Sequence, residues 1–296
     1  MFSVIPIQSL PNDTHAHQRW PVDILRMDKI HTIVSGNKWF KLSGYLQQAE
    51  QNRAKAIATF GGAYSNHIVA TAYAARMKGL TSMGIIRGEK PSVLSHTLEN
   101  ALSYNMKLIF VSRTDYKDKQ RMQAMHDPDG NYYWIPEGGY GIQGAAGIRD
   151  MLKAVPYWDY THLVTAVGTG TTMAGLIQGA LPYQKVIGMA VLNNQNTITV
   201  EMEALLDKQD CRKNYQIITD YTFGGYAKKT PELINFMNKT YQTVKLPLDF
   251  VYTAKAFYGL KNYLQNAELS EDSRVLFLHT GGLQGNDSLS PDTLCY

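Results

Sequence analysis

His162-Leu-Val-Thr-Ala-Val-Gly168-Thr-Gly-Thr-Thr-Met-Ala-Gly175 decides how this chain is read. An apolar run of strand length, His162 to Ala166, enters the turn Gly168–Thr172, and a helical pattern, Thr172 to Ala180, follows. Strand, glycine turn and helix are the unit of a parallel sheet wrapped by helices. Working back from it, Ala56–Phe60, Thr81–Ile86, Lys107–Val111 and Tyr132–Ile135 read as strands. Helical patterns at Ile68–Lys78, His96–Tyr104 and Ile142–Ala154 alternate with them. Working forward, strand Lys185–Val191 is followed by helices over Thr199–Asp207, Pro231–Thr240 and Ala254–Ala267, and strand Arg274–His279 closes the series. The fold class is therefore α/β, and the glycine-rich stretch Gly138–Gly147 is the best candidate for a domain boundary.

Composition excludes several function classes. The 296 residues are 44% hydrophobic and 18% charged, enough apolar content to bury a core without disulfide or metal staples. No apolar run approaches the roughly 20 residues of a membrane helix. Met1–Asp13 lacks the basic start and apolar stretch of a signal peptide, which points to the cytoplasm. The net charge of +4 is spread along the chain, unlike the concentrated basic face of a nucleic-acid binder. Cys211 and Cys295 match no metal or redox spacing and read as free thiols.

Three stretches carry chemistry. At the Gly168–Thr172 turn, backbone N–H groups backed by a helix N-terminus form an anion cradle, and the threonine hydroxyls add donors. No lysine precedes a Ser or Thr as in a nucleotide P-loop. Met173 stands where a dinucleotide fingerprint has Gly or Ala, and the next strand ends in Val191-Leu192-Asn193-Asn194 without a ribose-binding carboxylate. A phosphate monoester fits the turn better than a nucleotide. The second stretch is Gly61-Gly62-Ala63-Tyr64-Ser65-Asn66-His67, where a strand meets a polar helix start. Ser65 or Asn66 reads either as a plain helix cap or as part of a carboxylate site. The third is Ser35-Gly36-Asn37-Lys38-Trp39-Phe40-Lys41. Most lysines are solvated surface groups, but desolvation beside Trp39 and Phe40 would lower the Lys38 pKa and leave its amine fit for Schiff-base chemistry. Lys41, one turn on, would add positive charge for a phosphate. A phosphate monoester together with a Schiff-base lysine suggests pyridoxal 5'-phosphate.

These three stretches, with Pro136-Glu137-Gly138-Gly139, Val251-Tyr252-Thr253 and His279-Thr280-Gly281-Gly282, occur in an order that resembles the 1-aminocyclopropane-1-carboxylate deaminase and D-cysteine desulfhydrase family. That family has the tryptophan synthase β-subunit-like fold (fold type II of the pyridoxal-phosphate enzymes), a two-domain, three-layer α/β/α architecture. The resemblance implies a large domain of residues 1–41 and 141–296, a small one of 42–140, a small amino-acid substrate and a homodimer. It implies that Lys38 forms the Schiff base and shuttles the Cα proton, and that Lys41, Gly168, Thr169, Gly170, Thr171 and Thr172 hold the phosphate. Asn66 would bond the phenolic oxygen of the cofactor. Ser65 would meet the substrate carboxylate or move a proton, with Tyr64 and His67 beside it. Tyr226 and Tyr252 match the family's two active-site tyrosines. Thr253 and Thr280 stand where ring-opening deaminases carry Glu and Leu, and where desulfhydrase-like members carry Ser or Thr and Thr. A neutral hydroxyl in place of a carboxylate makes a weaker electron sink, which suits α,β-elimination to a 2-oxo acid, ammonia and sulfide. Ring opening, racemisation and β-replacement are the alternatives. Tyr64 departs from the family's usual Gln and bears on the shape of the substrate pocket.

Overall fold

Strands made of unbroken apolar runs need cover on both faces. The computed structural model supplies it with two sheets, and describes residues 4–11, 20–31, 34–193 and 195–296. Asn194 and parts of the Met1–Asp13 stretch lie outside the described residues. In chain order the first elements are β1 (Ile7–Ser9), β2 (Val22–Arg26), α1 (Asn37–Gln51), β3 (Ala56–Gly61) and α2 (Asn66–Met77). Then come β4 (Thr81–Arg87), α3 (His96–Ser103), β5 (Met106–Val111), α4 (Lys119–His126), β6 (Tyr133–Ile135) and α5 (Ile142–Leu152). The series continues with β7 (His162–Val167), α6 (Thr171–Gly179), β8 (Lys185–Ala190), α7 (Gln195–Glu203) and β9 (Tyr215–Ile218). It ends with α8 (Pro231–Val244), α9 (Thr253–Asn266) and β10 (Val275–His279).

The six-stranded sheet has the order β1-β2-β10-β7-β8-β9, and the four-stranded sheet the order β5-β4-β3-β6. Every pairing is parallel except that of β1 with β2. Alternation along the strands divides the larger core in two. Leu276 and Leu278 pack with Ile148 and Met151 of α5 and Met173 of α6, whereas Val275 and Phe277 pack with Leu233 and Met237 of α8 and Phe257 and Leu260 of α9. In the smaller sheet Ile57 and Ile135 pack with Leu42, Tyr45 and Leu46 of α1 and with Ala70 and Ala74 of α2. Phe60 and Met83 face Met122 of α4, and Ile86 faces Leu98 and Ala101 of α3.

The alternating pattern located most of these elements. α7 begins four residues before the expected Thr199, and β1, β2, α4 and β9 are additions. The expected division after residue 41 falls inside α1. Among the described residues no helix is long and apolar enough to cross a membrane.

Candidate active site

Each sheet reverses its winding at one strand: β7 lies between β10 and β8, and β3 between β6 and β4. Open α/β sheets bind ligands outside the carboxyl ends of the strands at such points. The Gly168 turn leaves β7, Thr280 follows β10, the Gly61–Ser65 turn leaves β3, and Glu137 and Gly138 follow β6. All four stretches line one cavity of about 540 Å³, within the ~300–1,000 Å³ usual for ligand sites.

The two lysines enter from the first turns of α1. The start of this helix is wedged into the larger sheet: Gly36 has φ +77°, and a Cβ there would stand 1.9 Å from the Thr280 carbonyl oxygen. The Asn37 amide donates to that same oxygen at 3.1 Å, and Asn37 Nδ2 donates to Thr172 Oγ1 at 2.8 Å. Lys38 and Lys41 therefore project into the cavity from a fixed helix end. Loss of water, partly offset by the charge of Asp249, pushes the half-buried Lys38 down to about 8. Lys41 is buried, and desolvation followed by the charge of Lys38 holds its pKa well below the usual lysine range. The charge of Lys38 thus works against that of Lys41, and an incoming anion would relieve the conflict.

The glycine turn supplies the complementary anion cradle. Gly170 caps α6 at φ 80° with no side-chain cap bond, so the first-turn amides of α6 are left without a side-chain acceptor. Only glycine fits: a Cβ at 170 would stand 2.7 Å from Met202 Cβ and 3.0 Å from its Cα. Gly168, Thr169, Gly170 and Thr172 line the cavity. Thr171 does not; its methyl faces α5, where a Cβ on Gly144 would lie 3.0 Å away, and its hydroxyl lies 3.4 Å from that of Thr169.

On the opposite wall Ser65 occupies the cap position of α2, yet its side chain makes no cap bond, so the helix start presents free polar groups to the cavity. Asn66 Oδ1 is buried without a partner. His67 is buried; Thr59 Oγ1 donates to Ile135 O at 2.8 Å and so accepts from His67 Nε2, also at 2.8 Å. That tautomer leaves Nδ1 a bare, unpartnered acceptor. Burial, then the charges of Lys38 and Lys41, keep this imidazole neutral by depressing its pKa well below the ordinary value. Tyr64 lines the mouth and is half exposed.

The third wall carries Tyr226, Tyr252 and Thr280. Burial raises both tyrosines, Tyr252 further through Tyr226 and Asp249, so both phenols keep their protons. Thr253 stands apart. It is fully buried off the cavity, giving its hydroxyl proton to Asp249 Oδ2 at 2.6 Å and accepting the Asp249 amide at 2.8 Å. The residue that does reach the cavity is Asp249, which the sequence reading missed. Its carboxylate also accepts the amides of Val251 (3.0 Å), Tyr252 (2.7 Å) and Thr253 (2.9 Å) at the start of α9. Lys255 was missed too: its buried amine donates to Thr222 O (2.9 Å) and Gly225 O (2.6 Å), fixing the loop that presents Tyr226. Every other side chain expected from the sequence lines the cavity, with Thr171 and Thr253 the exceptions.

One buried and one half-buried amine, an uncapped helix start and orphaned Asn66 and His67 acceptors fit a compact ligand with a dianionic end and polar ring substituents. Pyridoxal phosphate has that form. A model of the pyridoxal-phosphate dependent enzymes matches residues 6–281. The chain belongs to that family. Within the pyridoxal-phosphate enzymes, a Thermotoga maritima protein with the provisional name 1-aminocyclopropane-1-carboxylate deaminase is 32% identical over 282 residues, covering 88% of each chain. The mitochondrial bifunctional D-cysteine desulfhydrase/1-aminocyclopropane-1-carboxylate deaminase of Arabidopsis thaliana is 30% identical over 94% of this chain and 75% of its own. The crystal structure of a 1-aminocyclopropane-1-carboxylate deaminase homologue superposes with a TM-score of 0.78 at 28% identity, covering 96% of this chain and 92% of that one. Fold class, enzyme class and cofactor thus agree with the expectation from sequence.

Proposed function

We propose that this pyridoxal-phosphate enzyme removes a leaving group from Cβ of a small amino acid, in a D-cysteine desulfhydrase-like elimination. With cysteine, water enters and pyruvate, ammonia and hydrogen sulfide leave. Bound in the cavity, the cofactor supplies a carbonyl for the substrate amino group and a ring that draws electrons from Cα. Lys41, Gly168, Thr169, Gly170 and Thr172 would hold the phosphate, with Thr171 fixing the turn from behind. Lys38 Nζ would be the covalent anchor and, once displaced, the base that takes the Cα proton; a pKa of about 8 leaves a useful fraction of it unprotonated near neutrality. Asn66 would meet the phenolic oxygen of the ring. Ser65 at the start of α2 would meet the substrate carboxylate, with Tyr64 and His67 shaping the pocket. Tyr226 and Tyr252, held protonated, would donate to the departing group.

One observation carries the choice of elimination. Asp249, the carboxylate on the wall beside Thr280, has both oxygens committed to four donors. Among the described residues of that wall no free carboxylate stands to hold a proton on the ring nitrogen, and the neighbouring group is the neutral hydroxyl of Thr280, buried at the cavity lining. A ring left unprotonated is a modest sink, sufficient where the leaving group departs quickly. Ring opening of 1-aminocyclopropane-1-carboxylate is the second reading, favoured by the names of the relatives. Assay of the holoenzyme for pyruvate from D-cysteine against 2-oxobutanoate from 1-aminocyclopropane-1-carboxylate decides between them; 2-oxobutanoate alone would overturn the elimination reading. The same proposal takes residues 42–140 as a smaller domain closing on the larger, a homodimer as the working form and the cytoplasm as the compartment, the last supported by two exposed free cysteines.

A further inference from the structure

Among the described residues, two guanidinium groups on the cavity wall have no counter-ion. Arg87 ends β4, Arg113 lies two residues past β5, and both line the cavity. The acids beside them are engaged elsewhere. Glu137, on the same wall, pairs with Lys119 at 2.9 Å; Asp115 takes Arg121 at 3.2 Å and the Ser112 hydroxyl at 2.7 Å. Among the described residues neither arginine has an ion pair. Arg87 lies over the Tyr116 ring, Cζ 5.7 Å from its centroid.

Their positions form a series. β3, β4 and β5 are consecutive in the sheet, with Gly61 opposite Ile86 and Arg87 opposite Val111. Adjacent strands lie about 4.8 Å apart. From the α2 start, which follows β3, positive charge therefore extends one strand spacing to Arg87 and two to Arg113. The near end of the series touches the carboxylate site, since a Cβ on Gly62 would lie 3.6 Å from Arg87 Nη2. The α-carboxylate has the α2 start and the cofactor phosphate has Lys41 and α6, so neither of these anions uses the two arginines.

We propose that Arg87 and Arg113 bind a second anionic group on the substrate, so that the preferred substrates are amino acids whose Cβ leaving group is itself an oxyanion. This rests on the elimination reading of the same site. Paired N–H donors of a guanidinium match the edges of phosphate and carboxylate, and a neutral β-substituent gives them nothing to bind. With O-phosphoserine as the probe, Lys38 Nζ takes the Cα proton. The Cβ–O bond breaks with its electron pair on phosphate, and water completes release of pyruvate and ammonium.

The test measures pyruvate release by the holoenzyme from D- and L-O-phosphoserine and from the matching β-chloroalanines. Wild type should give a KM for one O-phosphoserine enantiomer at least about tenfold below that of its β-chloroalanine counterpart, a difference of ~1.4 kcal/mol. In the R87Q/R113Q double variant the ratio of the two kcat/KM values should fall about tenfold, mostly through KM. Spectral titration with aspartate and alanine gives a readout without turnover: aspartate should bind more tightly, and the variant should lose that preference. Both arginines are exposed, and an unchanged melting temperature verifies the fold. Equal KM values in wild type, or an unaltered ratio in the variant, overturn the assignment. Pyruvate from the β-chloroalanines alone ends only this inference; pyruvate from none of the four ends the elimination reading with it.

Discussion

The Lys38 amine should declare itself by its titration. With a pKa of about 8 against the ordinary 10.5, roughly a quarter of Lys38 side chains are neutral at pH 7.5, compared with ~0.1% for a solvated lysine. That is an excess of about 240-fold in reactive amine. Lower basicity reduces intrinsic nucleophilicity; a Brønsted slope of ~0.4–0.5, as for thiols, removes about tenfold or slightly more. A net advantage of roughly 20-fold remains. The assay treats the cofactor-free protein with pyridoxal, which lacks the phosphate and so tests the amine alone. Borohydride reduction and peptide mapping at intervals from pH 6.5 to 10 then locate the adducts. Lys38 should be labelled first, and its yield should level off above pH 8 to 8.5 while exposed lysines continue to rise about tenfold per unit. A Lys38 yield that climbs in step with the exposed lysines to pH 10, or a first adduct on another side chain, would refute the reasoning.

Replacing Lys38 with Ala should abolish both the visible absorbance of the loaded enzyme and its turnover, read by spectrophotometry and pyruvate release. Asp249→Ala strips the acceptor from three amides and the Thr253 hydroxyl, and should destabilise the fold by ~3–5 kcal/mol in urea unfolding. Gly170→Ala forces a side chain into φ 80° and against Met202; a loss of ~2 kcal/mol and weaker cofactor retention on dialysis are expected. Lys41→Gln removes the buried amine that would pair with the phosphate, so equilibrium dialysis should show pyridoxal phosphate bound at least about tenfold more weakly, with pyridoxal little changed.

Elements that bury one continuous apolar run were legible, because a parallel strand covered on both faces leaves little room for polar residues. β2 was not, since Val22-Asp-Ile-Leu-Arg26 carries two charges. The fold absorbs them: Tyr160 OH donates to Asp23 at 2.8 Å, and Arg26 pairs with Asp28 at 2.6 Å. β9 is an edge strand of four residues, too short for its pattern to register. At the site, the glycine turns and Lys38 announce themselves because their chemistry constrains residue type and spacing together. Asp249 acts through a helix start across the cavity, and only its place four residues before Thr253, as a potential cap of α9, hinted at it. Thr253 was misplaced for the same reason: the Asp249 carboxylate that no motif signalled draws its hydroxyl away from the cavity. Arg87 and Arg113 had a usable signal, each standing at or just past the carboxyl end of a parallel strand.

The wedge at Gly36 makes α1 a lever with its fulcrum at the reactive end. Asn37 is tied to Thr172 at the start of α6 and to Thr280 just past β10, while Tyr45, Leu46 and Ala49 lie in the core of the smaller sheet. At 1.5 Å of rise per residue, Lys38 sits ~1.5 Å along the axis from the tie and Gln51 about 21 Å. A tilt of about 10° would then carry the far end by ~3.7 Å and the base of Lys38 by only ~0.3 Å. In the domain closure proposed above, the smaller sheet would swing while the nucleophile stays in register with the anion cradle.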